Sequence, residues 1–399
     1  MRLPRVGVLC AISGLGGAEF SLLELVAHLR GSYEFHLIVP GEGPFKERAE
    51  LAGAKVWVLP WPEAIVRTGE TAQRPGLARM VRAAGYLPSF TRRLSELLEE
   101  IGPSAFVTNA IKAHIVGSLT RRRKNVPLIW YMRDGMEDRI ISRKLLAVLS
   151  RRCDLAVCIS QYVASQFRKY VSASLPTTVV YNIVDLQRFH PDVLPPADLR
   201  KQPDEIWYGI VGAITPLKGH DVFLDAAERV LAQLPKAMFV IVGSNPYATE
   251  AGLEYEARLR RRVASSSLRE RVRFVGFRGD LPSVCSQLDV LVQPNRGPEG
   301  LGRSVLEAMA CSVPAIAVNK WGPAELVQDG ETGLLFPPLD TGQLTAHMLM
   351  LGRNGSLRKT MGKRGHDWIR QNLVSRELAE RFDRVLANAI ASHQQEAEV

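Results

Sequence analysis

The chain has 399 residues, 46% hydrophobic and 23% charged, with a formal net charge of +10. That length is long for one core and comfortable for two, and the composition is ordinary for a soluble globular protein. No apolar run reaches the ~18 residues of a membrane span, and the first strand is too short for a signal-peptide core, so a cytoplasmic protein is expected.

Residues 6–10 read as a strand, 14–17 as a turn and 18–29 as a helix with apolar residues at helical spacing. Strands at 36–40 and 55–59 follow, separated by a short helix. Next come an irregular arginine-rich insertion, a helix from about 90 to 101 and a strand at 105–108. Short apolar strands at 128–131, 155–159 and 178–181 alternate with helical stretches. Residues 191–203 are rich in Pro and Asp without periodicity and predict the interdomain linker. The pattern then restarts, with strands at 207–211, 238–242, 272–275, 290–293 and 314–318, and residues 368–390 read as helix. Such alternation predicts an α/β chain of two Rossmann-like, doubly wound parallel-sheet domains, over 1–195 and 205–375, with 376–399 as a terminal helix.

Five cysteines (Cys10, Cys153, Cys158, Cys285 and Cys311) make an odd number without a C-x-x-C pair, which argues against a disulfide framework and a zinc site. The charge is uneven: residues 1–198 hold 26 Lys and Arg against 18 Asp and Glu. Arg67, Arg74, Arg79, Arg82, Arg92 and Arg93 are opposed between those limits only by Glu70, and Arg121–Lys124 forms a second cluster. A charge run is usually a solvated face. Trp57, Trp61, Tyr86 and Phe90 lie near the first cluster, however, and aromatic anchors beside cations suit peripheral contact with an anionic membrane surface. A nucleic-acid groove would use the same ingredients.

The most informative segment is Glu299-Gly300-Leu301-Gly302-Arg303-Ser304-Val305-Leu306-Glu307, two carboxylates eight residues apart around a glycine-rich turn. A buried strand precedes it and a helix is expected from about Ser304. Open α/β sheets bind ligands at the carboxyl ends of strands, and a helix N-terminus favours a phosphate. Glu307 then suits a ribose diol and Glu299 a sugar ring. A solvated pair of glutamates is the bland alternative.

This segment resembles the E-x7-E signature of the retaining glycosyltransferases of family four (glycosyltransferase group 1), which have the GT-B architecture. Four further blocks extend the likeness: Gly16-Gly17-Ala18-Glu19, Asn182-Ile183-Val184-Asp185 through Phe189, Phe274-Val275-Gly276-Phe277, and Gly322 through Leu335. The resemblance implies two domains facing across a cleft, with the terminal helix returning toward the first. It implies transfer of a hexose from a nucleotide-sugar donor to a sugar or lipid-linked acceptor with retention, in polysaccharide, glycan or glycolipid biosynthesis. Neither a metal nor a cofactor is implied, and no nucleic-acid partner is expected. The enzyme would be cytoplasmic and peripheral at the inner face of the membrane.

Residue by residue, Lys218 and Glu299 are expected at the reaction centre. Gly16, Gly17, Gly276, Phe277, Gly300, Leu301, Gly302, Arg303 and Glu307 are expected around the donor. The family presents an Arg where this chain has Ala213, and Arg303 is the suggested substitute. On the acceptor side, His114 is a catalytic candidate, with Tyr131, which stands where the family often has His, and Arg133 as contacts. A structural role for His114 is as good a reading, and Arg133-Asp134 reads equally as an ion pair. Two other classes stay open: a nucleotide-sugar epimerase of similar fold, and a non-catalytic module for anionic surfaces. A Rossmann dehydrogenase is disfavoured, because no strand-linked G-x-G-x-x-G is followed by a suitably spaced acid.

Overall fold

The computed structural model describes residues 2–66, 77–245 and 250–398. Near-continuous apolar runs such as Val6-Gly7-Val8-Leu9-Cys10 and Leu128-Ile129-Trp130-Tyr131-Met132 form strands buried along almost their whole length, as strands covered on both faces by crossover helices must be. Contacts gather into two compact units, Met1–Ile183 with Arg376–Val399, and Val184–Ser375.

The first unit holds seven parallel strands: β1 (Arg5–Cys10), β2 (Glu34–Val39), β3 (Lys55–Val58), β4 (Ala105–Asn109), β5 (Leu128–Met132), β6 (Leu155–Cys158) and β7 (Thr177–Val179). Their order is β3-β2-β1-β4-β5-β6-β7, so the winding reverses between β1 and β4. The terminal helix Ser375–Glu398 packs here: the Phe382 ring lies 5.2 Å from that of Tyr131, and Tyr33 Oη donates to Asp383 Oδ1 at 2.7 Å.

The second unit holds β8 (Ile206–Val211), β9 (Ala237–Val242), β10 (Val272–Gly276), β11 (Val290–Gln293), β12 (Ala315–Val318) and β13 (Gly333–Phe336). All pairs are parallel, in the order β10-β9-β8-β11-β12-β13, with the reversal between β8 and β11. Tyr208 and Phe239 stack at 5.7 Å in its core.

The two sheets share a device at their amino edges. Asp154 Oδ2, just before β6, accepts from the Leu128 N–H at 2.6 Å and from Arg122 Nη2 at 3.1 Å. Asp289 Oδ2, just before β11, accepts from the Trp207 N–H at 2.7 Å and from Lys201, while Arg358 Nε lies 3.6 Å from Oδ1. Each carboxylate satisfies an N–H near the start of a neighbouring strand, before the parallel ladder with that strand begins.

The expected strands form, with ends displaced by up to two residues; β13, most of whose residues entered only within the Gly322–Leu335 block, is additional. Four other differences have physical causes. Residues 191–203 belong to the second unit rather than to a free linker: Leu199 is buried, and Asp198 accepts a fork of hydrogen bonds from Arg278 at 2.6 and 2.9 Å. The helix expected from residue 90 begins at Leu77 and runs through Pro88, whose missing N–H ordinarily marks a helix boundary. The helix expected over 368–390 is two helices, ending at Asn372 and restarting at Ser375, whose Oγ donates to the Val184 carbonyl at 2.6 Å.

The fourth concerns the expected aromatic anchors. Trp61 and Phe90 are buried with rings 5.2 Å apart, and Trp57 Nε1 donates to His36 Nδ1 at 2.9 Å, so these rings serve the first core. Tyr86 is exposed. Arg67, Glu70 and Arg74, with the side chain of Arg79, lie outside the described residues. Arg122 of the second cluster is committed to Asp154 and to the Val126 and Arg152 carbonyls.

Replacing Asp289 with Ala strands a strand N–H and a lysine at a half-closed edge, and should cost about 2–3 kcal/mol of stability. Urea unfolding followed by tryptophan fluorescence checks this; an unshifted midpoint would show that the network is energetically neutral.

Candidate active site

In the second unit the expected donor residues assemble where the winding reverses. The loop after β8 turns through Pro216–Lys218, and the loop after β11 carries Glu299, so the two come from opposite sides of the switch point. Lys218 Nζ donates to Glu299 Oε2, and Asn295 Nδ2 donates to the same oxygen at 3.1 Å. Both members of the ion pair are partly exposed. Gly219 makes the approach possible: it has φ +73, and a Cβ there would meet the Pro294 carbonyl oxygen at 1.9 Å. Arg296 N–H donates to the Leu217 carbonyl at 2.9 Å, tying the two loops together.

The helix expected from about Ser304 runs over Arg303–Ala310. Its N-cap is Gly302, at φ 97 and ψ 60, which offers no side-chain cap; a Cβ there would meet Gln293 Oε1 at 2.9 Å. Glu307 is buried and accepts from Arg303 Nε at 2.6 Å. Arg303, suggested to stand in for the Arg replaced by Ala213, is therefore held by Glu307, one helical turn away. Leu301 is buried beneath the turn, and Gly322 N–H donates to the Glu299 carbonyl at 3.0 Å. At the end of β10, Gly276 has φ +70 and the Phe277 ring is exposed, an apolar face at the same carboxyl edge.

Sequence reasoning missed Gln293 and Asn295. Both are buried, and Gln293 Oε1 and Asn295 Oδ1 have no hydrogen-bond partner. Buried acceptors without donors are costly, and such groups gather where a ligand completes them. Their signal was two amides at the end of an otherwise apolar strand.

In the first unit the reversal between β1 and β4 gathers a polar cluster. Gly16 N–H donates to Glu19 Oε2 at 3.2 Å, at the start of the helix Gly17–Leu29. Burial raises the pKa of Glu19, opposed by hydrogen bonding to its own and the Gly16 N–H and by the charge of Arg133. Arg133 Nε donates to Asn109 Oδ1 at 2.8 Å and Nη1 to Asn182 Oδ1 at 2.9 Å, while Ser21 Oγ donates to the same Asn182 oxygen at 2.8 Å. Arg133 is thus a buried organiser of three loops rather than a partner of Asp134, which lies 3.4 Å from Arg139. Its guanidinium lies 3.9 Å over the Tyr131 ring, which is itself buried. Glu19 and Asn182 were named only within resembling blocks and had no expected role at the site.

His114 departs furthest from expectation. It is wholly buried, with Nδ1 2.7 Å from Thr108 Oγ1 and its ring stacked on Trp130 at 5.6 Å. That enclosure supports the structural of the two readings weighed for it, while Nε2 is buried without a hydrogen-bond partner. Burial, with the charge of Arg133 beside it, lowers its pKa from 6.5 to about 3. Burial likewise lowers that of His220 to about 4.

Two doubly wound parallel-sheet domains in one chain, with a Lys218–Glu299 pair at the switch point of the second, match the GT-B class of two-domain enzymes. The family model described as "Glycosyl transferases group 1" matches residues 196–368, and that described as "Glycosyltransferase Family 4" matches residues 15–188. The chain belongs to the group 1 glycosyltransferases, with a first domain of the family 4 kind. It is 33% identical over 197 residues to the lipopolysaccharide core biosynthesis mannosyltransferase LpsB of Rhizobium meliloti, covering 47% of this chain and 52% of that one. That match therefore spans about half of the relative's length. Over 93% of this chain and 95% of the relative it is 26% identical to the GDP-mannose-dependent alpha-(1-6)-phosphatidylinositol monomannoside mannosyltransferase of Mycolicibacterium smegmatis. Among solved structures, HepE of Anabaena in complex with UDP-glucose shares the fold with a TM-score of 0.79 at 21% identity, covering 96% of this chain and all of that one.

The depressed histidine fixes the sign of an acid sensitivity. The unfolded chain takes up the His114 proton near pH 6.5 and the folded chain only near 3, so this contribution to stability is present above 6.5 and is lost as pH falls through that window. The loss reaches up to about 1.4 kcal/mol per pH unit. His114→Leu should flatten the fall of melting temperature with pH between about 6.5 and 4. A slope as steep as the parent's would assign the sensitivity to other groups.

Proposed function

We propose that the protein transfers a hexose from a nucleoside diphosphate sugar to the hydroxyl of a sugar or lipid-linked acceptor, with retention and without a metal, in glycan or glycolipid assembly. The observation that carries this reading is the Lys218–Glu299 pair at the β8/β11 switch point, beside the Gly302-capped start of the Arg303–Ala310 helix. Bond cleavage leaves negative charge on the departing diphosphate. A cation already positioned by a neighbouring carboxylate, with helix dipoles aimed at the same edge, stabilises that charge as it develops.

Glu299 already accepts from Lys218 and Asn295 through one oxygen, which makes it a poor nucleophile. That supports front-face departure and attack, with a diphosphate oxygen taking the acceptor proton, over double displacement through Glu299. Its other oxygen suits a sugar hydroxyl. Glu307, fixed by Arg303, suits the ribose diol, and the exposed Phe277 suits the base. Among the described residues no three His, Cys, Asp or Glu side chains converge as a metal-binding group. GDP-mannose and UDP-glucose, the sugar donors named for the mannosyltransferase relative and the HepE complex, are the first to test for thermal stabilisation.

Glu307→Ala should weaken binding of the matching nucleoside diphosphate ~10-fold or more, by removing charge-assisted hydrogen bonds. Calorimetric titration measures it, and an unchanged affinity would move the ribose elsewhere. Lys218→Ala should lower kcat by orders of magnitude with a smaller change in donor affinity, because the charge it meets develops in the transition state. If turnover survives while only the donor KM rises, Lys218 is a binding residue. Activity undiminished by EDTA is expected; loss restored by a divalent cation would overturn the metal-free route.

A further inference from the structure

The helix Ile140–Leu149 of the first unit has more apolar surface than its packing uses. Leu146 and Leu149 are buried on its inner side. Outside, Ile140 and Ile141 are 43% exposed, Leu145 40% and Val148 69%. At 3.6 residues per turn these four, with Lys144 among them, fall within an arc of about 140°. A helix with apolar side chains on its outer as well as its inner side presents the outer set to another apolar phase more favourably than to water.

The charge around this face selects the phase. Residues 139–152 carry five basic side chains (Arg139, Arg143, Lys144, Arg151 and Arg152) and no acidic one. The next helix, Gln161–Tyr170, adds Lys169 and Tyr170, with Arg143 4.4 Å and Lys169 5.0 Å from the Tyr170 ring centre. Three acidic groups precede the helix, Asp134 at 3.4 Å from Arg139, Glu137 accepting from Tyr162 Oη at 2.9 Å and the exposed Asp138, so the five cations outnumber the carboxylates and the segment stays net positive. We propose that this helix docks the first unit on an anionic lipid bilayer, its four aliphatic side chains entering between the acyl chains while the cations stay among the headgroups. Lys144 sits inside the aliphatic arc and reaches the headgroups by its flexible stem. Each cation near an anionic leaflet raises partitioning about five-fold, so the basic cluster and the apolar face together suffice without a spanning helix. None of these residues belongs to the proposed sugar-transfer site, so the two readings stand or fall separately.

The test is co-sedimentation of the full chain with vesicles of phosphatidylcholine alone or mixed with phosphatidylglycerol. The parent should bind only the anionic vesicles, and high salt should weaken the binding as the screening length shortens. Val148→Asp combined with Leu145→Ser should lower that partitioning ~10-fold or more with little change in melting temperature, since both side chains are exposed. The five native cysteines are buried, so Val148→Cys can be labelled with a polarity-sensitive dye. A blue shift confined to anionic vesicles supports insertion. Equal binding to neutral vesicles, unchanged partitioning of the double variant, or a dye that stays in water overturns the proposal. So does a parent dimer in sedimentation velocity that the double variant dissolves, which would make a second copy of the chain the occupant.

Discussion

The second unit's site depends on one constraint, the reversal of winding between β8 and β11. Crossovers leave these neighbouring strands toward opposite faces, so their carboxyl ends part and open a crevice that backbone alone cannot fill. Lys218 enters from one side and Glu299 from the other, and their charges meet across the gap. The close approach of Gly219 to the Pro294 carbonyl keeps the two loops in register, so the pair is a property of the sheet rather than of either loop.

Carboxylates in this chain take their roles from the edge of the sheet on which they fall. At the amino edges Asp154 and Asp289 satisfy strand N–H groups and nearby cations, and their work ends with the fold. At the carboxyl edge of the second sheet Glu299 and Glu307 hold Lys218 and Arg303, residues the fold itself does not require there. The two ion pairs leave that edge close to neutral, with its cations already oriented. The adjoining Gln293 and Asn295 oxygens lack donors, as expected of a surface completed by a bound molecule.

The first unit uses its own switch point differently. Arg133 binds Asn109 and Asn182 and lies over Tyr131, drawing the ends of β4, β5 and the chain after β7 together. Tyr131 in turn packs on Phe382 of the returning terminal helix, so the polar cluster and the closing helix share one aromatic contact. His114 is held within the same core by Thr108 and Trp130, and its depressed pKa follows from that enclosure.

The sequence by itself determined the architecture, because a parallel strand covered on both faces must be apolar throughout, and such runs are visible without coordinates. It also determined the glycine turn, the Arg303–Ala310 helix start and the eight-residue spacing of Glu299 and Glu307, since these are local. The break between Asn372 and Ser375 carries no proline or glycine and follows from a long-range bond to Val184, so no local pattern announces it. The same holds for the pairing of Lys218 with Glu299, 81 residues apart, and for the unpartnered side-chain oxygens of Gln293 and Asn295. Burial was the other decision of the tertiary structure: it withdrew His114, Trp61 and Phe90 from the surface and left Ile140, Ile141, Leu145 and Val148 upon it. Periodicity shows that a helix has an apolar face, but which apolar residues meet a neighbour depends on what the rest of the chain places against them.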